Sequence, residues 1–147
     1  MATYKAPQRD MQFVLNELLE VDQTLSRLPG FGEITPDIIN QYLESSAQFA
    51  ENELAPLNQS GDAEGCKLEN GVVTTPKGFK EAYQQFCEQG YSSICCDPAY
   101  GGQGMPLTLG LALMGRQISA NVAWSMYPGL SHGAYECIHA HGTPEQK

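Results

Sequence analysis

Apolar residues recur at three- and four-residue steps, in stretch after stretch separated by proline and glycine, and this constrains the chain more than any other feature. That period belongs to helices with one buried face. The first run, Met11, Val14, Leu15, Leu18 and Val21, predicts an amphipathic helix over about 9–22 with its polar face in solvent. Leu28-Pro29-Gly30-Phe31-Gly32 breaks it. Thr35-Pro36-Asp37 then supplies a hydroxyl cap, a first-turn proline and an acid beside the positive helix end. The helix it opens carries Ile38, Ile39, Tyr42, Leu43, Phe49, Ala50 and Leu54 on one stripe, and Ala55-Pro56 is expected to stop it. The acidic stretch 58–65 reads as a surface loop, and Asn70-Gly71 between β-compatible pieces signals at most a small hairpin.

Thr75-Pro76 repeats the cap-plus-proline start for a third helix bearing Phe79, Tyr83, Phe86 and Cys87, which Gly90 can end. An extended-looking segment, 91–96, leads into Asp97-Pro98-Ala99-Tyr100-Gly101-Gly102-Gln103-Gly104-Met105-Pro106, the turn around which the chain is organised. Gly102-x-Gly104 suggests a dinucleotide cradle, but the third glycine would fall at Leu107 and no second strand with a terminal acid follows. The turn therefore reads as a fixed loop feeding a helix. On that helix Leu107, Leu111, Met114 and Ile118 form a stripe while Leu109 and Leu113 occupy other faces, so protein is expected all round it. Gly110 and Gly115 suggest close approach by another element. The last helix spans about 122–141 after an interruption at 119–121, and Pro128-Gly129 inside it implies a kink or two helices meeting.

The 147 residues suit one domain. A net charge of −9 argues against nucleic acid or an anionic membrane surface as the main partner. Five cysteines, an odd number without disulfide-framework spacing, and the polar start over 1–10 point to a reduced, cytoplasmic setting; no run of about 18 uncharged apolar residues could span a bilayer. Cys137-x-His139-x-His141, with His132 nearby, places successive side chains on different helix faces, so no metal site is expected. Cys95-Cys96 lacks redox Cys-x-x-Cys spacing, and no Ser/His/Asp set is recognisable.

Asp-Pro-Ala-Tyr-Gly-Gly-Gln-Gly at 97–104, the apolar helix after it and the ending Ala140-His141-Gly142-Thr143-Pro144-Glu145-Gln146-Lys147 together resemble the N-terminal helical domain of acyl-CoA dehydrogenases. Tyr4-Lys5-Ala6-Pro7 with Phe13-Val14-Leu15-Asn16-Glu17 further resembles the short N-terminal extension of a bacterial subgroup that includes methylmercaptopropionyl-CoA dehydrogenases. The resemblance implies an all-α orthogonal helical bundle with at most one small β-hairpin. Residues 1–33 would form the extension with one amphipathic helix and 34–147 the family's N-terminal domain. It also implies an FAD-dependent oxidation of an acyl-CoA to the 2,3-enoyl-CoA by a larger protein with a middle β domain and a C-terminal helical domain. In that protein a glutamate of the C-terminal domain removes the proton α to the thioester.

No catalytic base, flavin segment or metal site is matched in this chain, so it reads as a fragment that neither binds FAD nor reacts alone. What it would supply is an acyl-channel wall, assigned by counting back from Gly142-Thr143 to Trp124, Ser125, Pro128 and Gly129, with Tyr127 and Leu130 adjacent. A bulky Trp124 would plug the channel and favour a short acyl chain. Implied partners are the acyl-CoA, the remaining domains, a second or further copies in a homodimer or homotetramer, and an electron-transfer flavoprotein. The competing expectation is a stand-alone helical interaction domain whose apolar faces dock a protein.

Overall fold

A computed structural model describes residues 4–147; the first three positions of the polar start lie outside the described residues. The opening helix is shorter than its periodicity suggests. α1 (Gln8–Gln12) runs into a π-helical stretch, Phe13–Leu18, and Glu20 at φ 44° ends the run before a short α2 (Val21–Leu25). Wider i→i+5 turns rotate the stripe. Leu15 is buried, whereas Val14 and Leu18 face solvent at 39% and 63% exposure. Leu15, Val21 and Leu25 nevertheless join the same core as the rest of the chain.

α3 (Pro36–Phe49) begins as expected, with the Thr35 hydroxyl accepting from the Ile38 N–H. Its end differs. Ala55-Pro56 does not stop the helix: a π-helical stretch, Ala50–Leu54, passes into α4 (Ala55–Glu64), with Pro56 in the first turn of α4. There a missing N–H leaves least unpaired, and the Asn121 side-chain amide donates to the Leu54 carbonyl at 3.2 Å. The expected loop over 58–65 is thus a helix whose polar side chains mark its solvent face. Its Gly61 is buried, and a Cβ there would sit 2.6 Å from the Phe79 ring.

β1 (Lys67–Glu69) and β2 (Val72–Thr74) form the antiparallel hairpin with Leu68 opposite Val73, turning through Asn70 and Gly71 at positive φ. α5 (Phe79–Glu88) starts later than Thr75-Pro76 suggested, because the chain first turns at Gly78, φ 89°, and it ends before Gly90 at φ 78°. The extended reading of 91–96 is overturned. Tyr91–Ser93 is one 3-10 turn, and the carbonyls of Ser93, Ile94 and Cys96 accept from Gln103, Met105 and Gly104. Its backbone partners lie in the glycine turn, not in a sheet.

α6 (Leu107–Ala120) and α7 (Val122–His141) complete a bundle, joined at an Asn121 whose side-chain carbonyl caps the Trp124 N–H. Pro128 lies inside an uninterrupted α7. On α6 the expected inward stripe is the exposed one: Leu107 is 61% and Leu111 51% exposed, while Leu109, Leu113, Arg116, Gln117 and Ala120 are buried. Among the described residues α6 is therefore covered on one face only. Phe49, Phe86, Tyr91 and Trp124 pack ring against ring at the centre.

Candidate functional site

The glycine turn is a hub made by hydrogen bonds. Every backbone N–H from Gly101 to Met105 is taken by a backbone carbonyl, at 2.8–3.1 Å. None is left to cradle a phosphate, so the fixed-loop reading agrees with the geometry. A Cβ on Gly102 would lie 2.0 Å from the Cys96 carbonyl oxygen, so only glycine passes there. The Gln103 side chain accepts from Tyr42 of α3 at 2.7 Å and donates to the Gly90 carbonyl at 2.7 Å. The Asp97 N–H donates to the Tyr135 hydroxyl of α7 at 2.8 Å, and the Asp97 carboxylate lies 3.3 Å from His139 Nε2. The Ala99 N–H and, next, His139 hold that carboxyl below the usual range. The turn thereby fixes α7 against α3 and the end of α5.

Between α6, α7 and the 91–95 turn lies a cavity of about 160 Å³. Leu107, Leu111, Met114 and Gln117 line it from α6, and Ser125, Pro128, Gly129 and His132 line it from α7. Gly110 also borders it, and a Cβ there would meet the Cys95 sulfur at 2.4 Å, the close approach its position suggested; Gly115 has no such neighbour. Most of the lining is apolar. The Ser125 hydroxyl is committed to the Val122 carbonyl at 2.8 Å, and His132 pairs with Glu136 at 3.5 Å.

The six residues singled out on the last helix separate into three groups. Ser125, Pro128 and Gly129 line the cavity. Tyr127 and Leu130 border a different, wider hollow of about 620 Å³ together with Val73, Phe79, Lys80 and Tyr83. Trp124 reaches neither. It is fully buried, its ring packs against Phe86, Phe49 and Tyr83 at 5.5–6.4 Å, and its Nε1–H donates to the Phe79 carbonyl at 3.1 Å.

Two buried polar residues on α6 escaped the sequence reading. Arg116, fully buried, donates to the Leu43 carbonyl and to Ser46 Oγ, and its other amino group lies against Met11 Sδ; burial lowers its pKa. Gln117, beside it, opens onto the cavity. The signal was present: 109, 113, 116/117 and 120 follow a helical period, which places Arg116 and Gln117 on the face of Leu109 and Leu113.

The histidines of α7 point apart, His132 to Glu136 and His139 to Asp97, and among the described residues no group of three or more His, Cys, Asp or Glu could hold a metal ion. Burial raises the pKa of the Cys95 and Cys96 thiols, which keeps them protonated and poor nucleophiles. FAD does not fit the described residues by themselves. The glycine turn has no free N–H for its diphosphate, and a 160 Å³ cavity, the scale that encloses one six-carbon ring, is too small for its ring system.

The family described as "Acyl-CoA dehydrogenase, N-terminal domain" matches residues 39–147. A 3-methylmercaptopropionyl-CoA dehydrogenase of Ruegeria pomeroyi is 36% identical over 145 residues, 99% of this chain and 24% of the relative. A butyryl-CoA dehydrogenase of Syntrophomonas wolfei is 29% identical over 98% of this chain, and a broad-specificity linear acyl-CoA dehydrogenase of Mycobacterium tuberculosis is 30% identical over all of it. The match again takes in 24% of each relative, so the chain spans about a quarter of the length of the curated relatives it matches.

Proposed function

Because the chain belongs to the acyl-CoA dehydrogenase family through its N-terminal domain, we propose that it supplies the acyl-chain wall of an enzyme that oxidises a short acyl-CoA to the 2,3-enoyl-CoA. Residues 34–147 act as the family domain, and 1–33 as an added segment that packs on it. The observation that carries this reading is the α6–α7 cavity, about 160 Å³ and mostly apolar, with Ser125, Pro128 and Gly129 on its α7 side. Such a wall excludes water and sets chain length, and it needs few polar groups.

FAD, the base that removes the α proton and the contacts to CoA belong, in this proposal, to segments outside the chain described. A homodimer or homotetramer and an electron-transfer flavoprotein are proposed on the resemblance alone. No described helix is long and apolar enough to cross a membrane, and a cytoplasmic location is part of the proposal.

The test uses the complete reading frame that contains this chain, assayed with acyl-CoAs of increasing length and an artificial electron acceptor. Gly129→Leu should lower kcat/KM for longer tails more than for short ones, since one methylene is discriminated by about 1–3 kcal/mol in an apolar pocket. Equal loss at every length would refute the wall. A second reading, a stand-alone helical interaction domain, is favoured by the exposed stripe Leu107, Leu111, Met114 and Ile118. No oxidation of any acyl-CoA by the complete protein, with capture of a protein on that stripe, would establish it instead.

A further inference from the structure

The wider hollow, about 620 Å³, lies between β2, α5 and the face of α7 that carries Tyr127, Leu130 and Ser131, and a volume of this order is usual for small-molecule sites. Three aromatic rings line it. Phe79 and Tyr127 meet edge to face at 6.3 Å, and Tyr83 stands one turn after Phe79 on the same face of α5. Val73 of the hairpin and Leu130 of α7 border the same hollow at 62% and 76% exposure, apolar surface that a ligand would take out of water. The charge of the lining has one sign: Lys80 borders the hollow and no aspartate or glutamate does, in a chain with 17 acidic residues against 8 lysines and arginines. Among the described residues Lys80 joins no ion pair.

Such a lining suits a ligand with two parts. A hydrocarbon tail would cover the rings and leave the ammonium unmatched, while an inorganic anion would match the ammonium and leave Val73 and Leu130 in water. We propose that the hollow binds a small aromatic acid, its ring packed against Phe79, Tyr83 and Tyr127 and its anionic group at the Lys80 ammonium, with the Thr75 and Ser131 hydroxyls as neutral donors. The rings supply most of the affinity, and the lysine, which is solvent-exposed, supplies the preference for an anion. The hollow shares no lining residue with the α6–α7 cavity, so this site is independent of the acyl wall.

The experiment uses the 147-residue chain and isotope-edited NMR at about 0.15 M salt, where the field of the net charge of −9 is screened beyond about 8 Å. Naphthalene-2-sulfonate, its neutral isostere naphthalene-2-sulfonamide and the ring-free octane-1-sulfonate are titrated separately to millimolar concentration, and dissociation constants are read from the backbone amides of Val73, Phe79, Lys80 and Leu130. The expected result is that naphthalene-2-sulfonate shifts these amides and binds there more tightly than either of the others. Lys80→Gln should weaken naphthalene-2-sulfonate by about 1.5- to 5-fold, the span of an exposed ion pair, and leave the sulfonamide unchanged. Lys80 is exposed, so this variant keeps the fold, which its amide spectrum verifies.

If naphthalene-2-sulfonate leaves the amides around the hollow unshifted, or if Lys80→Gln does not change its affinity there, the inference is overturned. Binding of octane-1-sulfonate at the hollow with equal or greater affinity overturns the aromatic part of it. Each of these results leaves the acyl-wall reading untouched, because that reading rests on other residues.

Discussion

Trp124→Ala should cost about 3–5 kcal/mol of stability, the range for removing a large aromatic from a core. The structure says why the value belongs there. The indole is fully buried and packs edge-on against Phe86 at 5.5 Å and Phe49 at 6.0 Å, aromatic pairs worth about 0.5–1.5 kcal/mol each beyond the area they bury. Its Nε1–H bond to the Phe79 carbonyl adds about 1 kcal/mol. Trp124→Phe keeps most of the burial and loses that bond, so it should cost about 1–2 kcal/mol. Urea unfolding followed by far-ultraviolet circular dichroism measures both variants. With a slope of about 2 kcal/mol/M, alanine should move the midpoint down by about 2 M and phenylalanine by less than 1 M. Trp124 is the only tryptophan, so its fluorescence reports the wild-type transition independently. An indole forming an exposed wall would cost no more than about 0.5 kcal/mol on removal. An alanine variant whose midpoint stays within about 0.3 M of wild type would refute the core placement.

Gly102→Ala should lose about 1–3 kcal/mol in the same assay, because its Cβ would lie 2.0 Å from a backbone carbonyl that cannot rotate away; an unchanged midpoint would show that the turn can open. Asp97 is held below the ordinary carboxylate range, so its contribution is present above the unfolded-state value of about 3.9 and vanishes as pH falls through the lower folded value. The melting temperature should therefore drop as pH falls below about 4, and Asp97→Ala should have a lower melting temperature at neutral pH and a shallower acid drop. Glu51, lowered by Lys5 and the Ala6 N–H, titrates in the same direction, so the drop is reduced by Asp97→Ala and not abolished. An acid profile that the substitution leaves unaltered would refute the role of Asp97.

Where sequence and structure agree, a local rule acted alone. Thr35-Pro36 starts a helix and Asn70-Gly71 turns a hairpin because cap and turn chemistry need no distant partner. Where they part, a tertiary contact won. Pro56 normally ends a helix, but after the π-helical stretch it falls in the first turn of α4, where a missing N–H breaks least, so 58–65 is helix and not loop. Tyr91–Cys96 has strand composition, yet its carbonyls are claimed by the glycine turn ten residues on. On α6 two apolar stripes compete, and period alone cannot rank them. Buried Arg116 settles the matter, since its guanidinium finds the Leu43 carbonyl and Ser46 on α3 and draws the Leu109 and Leu113 face inward.

The same reasoning shows why the six positions singled out on α7 divide between two hollows and the core. Six nearly contiguous positions cannot share one helix face, because each residue turns the side chain by about 100°. Ser125, Pro128, Gly129 and His132 follow the i, i+3, i+4, i+7 pattern and line one cavity, while Tyr127 and Leu130, set off from them, border the other hollow. Trp124 sits one turn before Pro128, but a long helical side chain leans toward the N-terminus, and this one ends among Phe49, Tyr83 and Phe86. In the proposed acyl wall, Pro128, Gly129 and the α6 residues opposite them would therefore limit chain length, and the indole, packed among Phe49, Tyr83 and Phe86, would not. Position in the helix decided the role each residue could take, and size decided only how far its side chain reached.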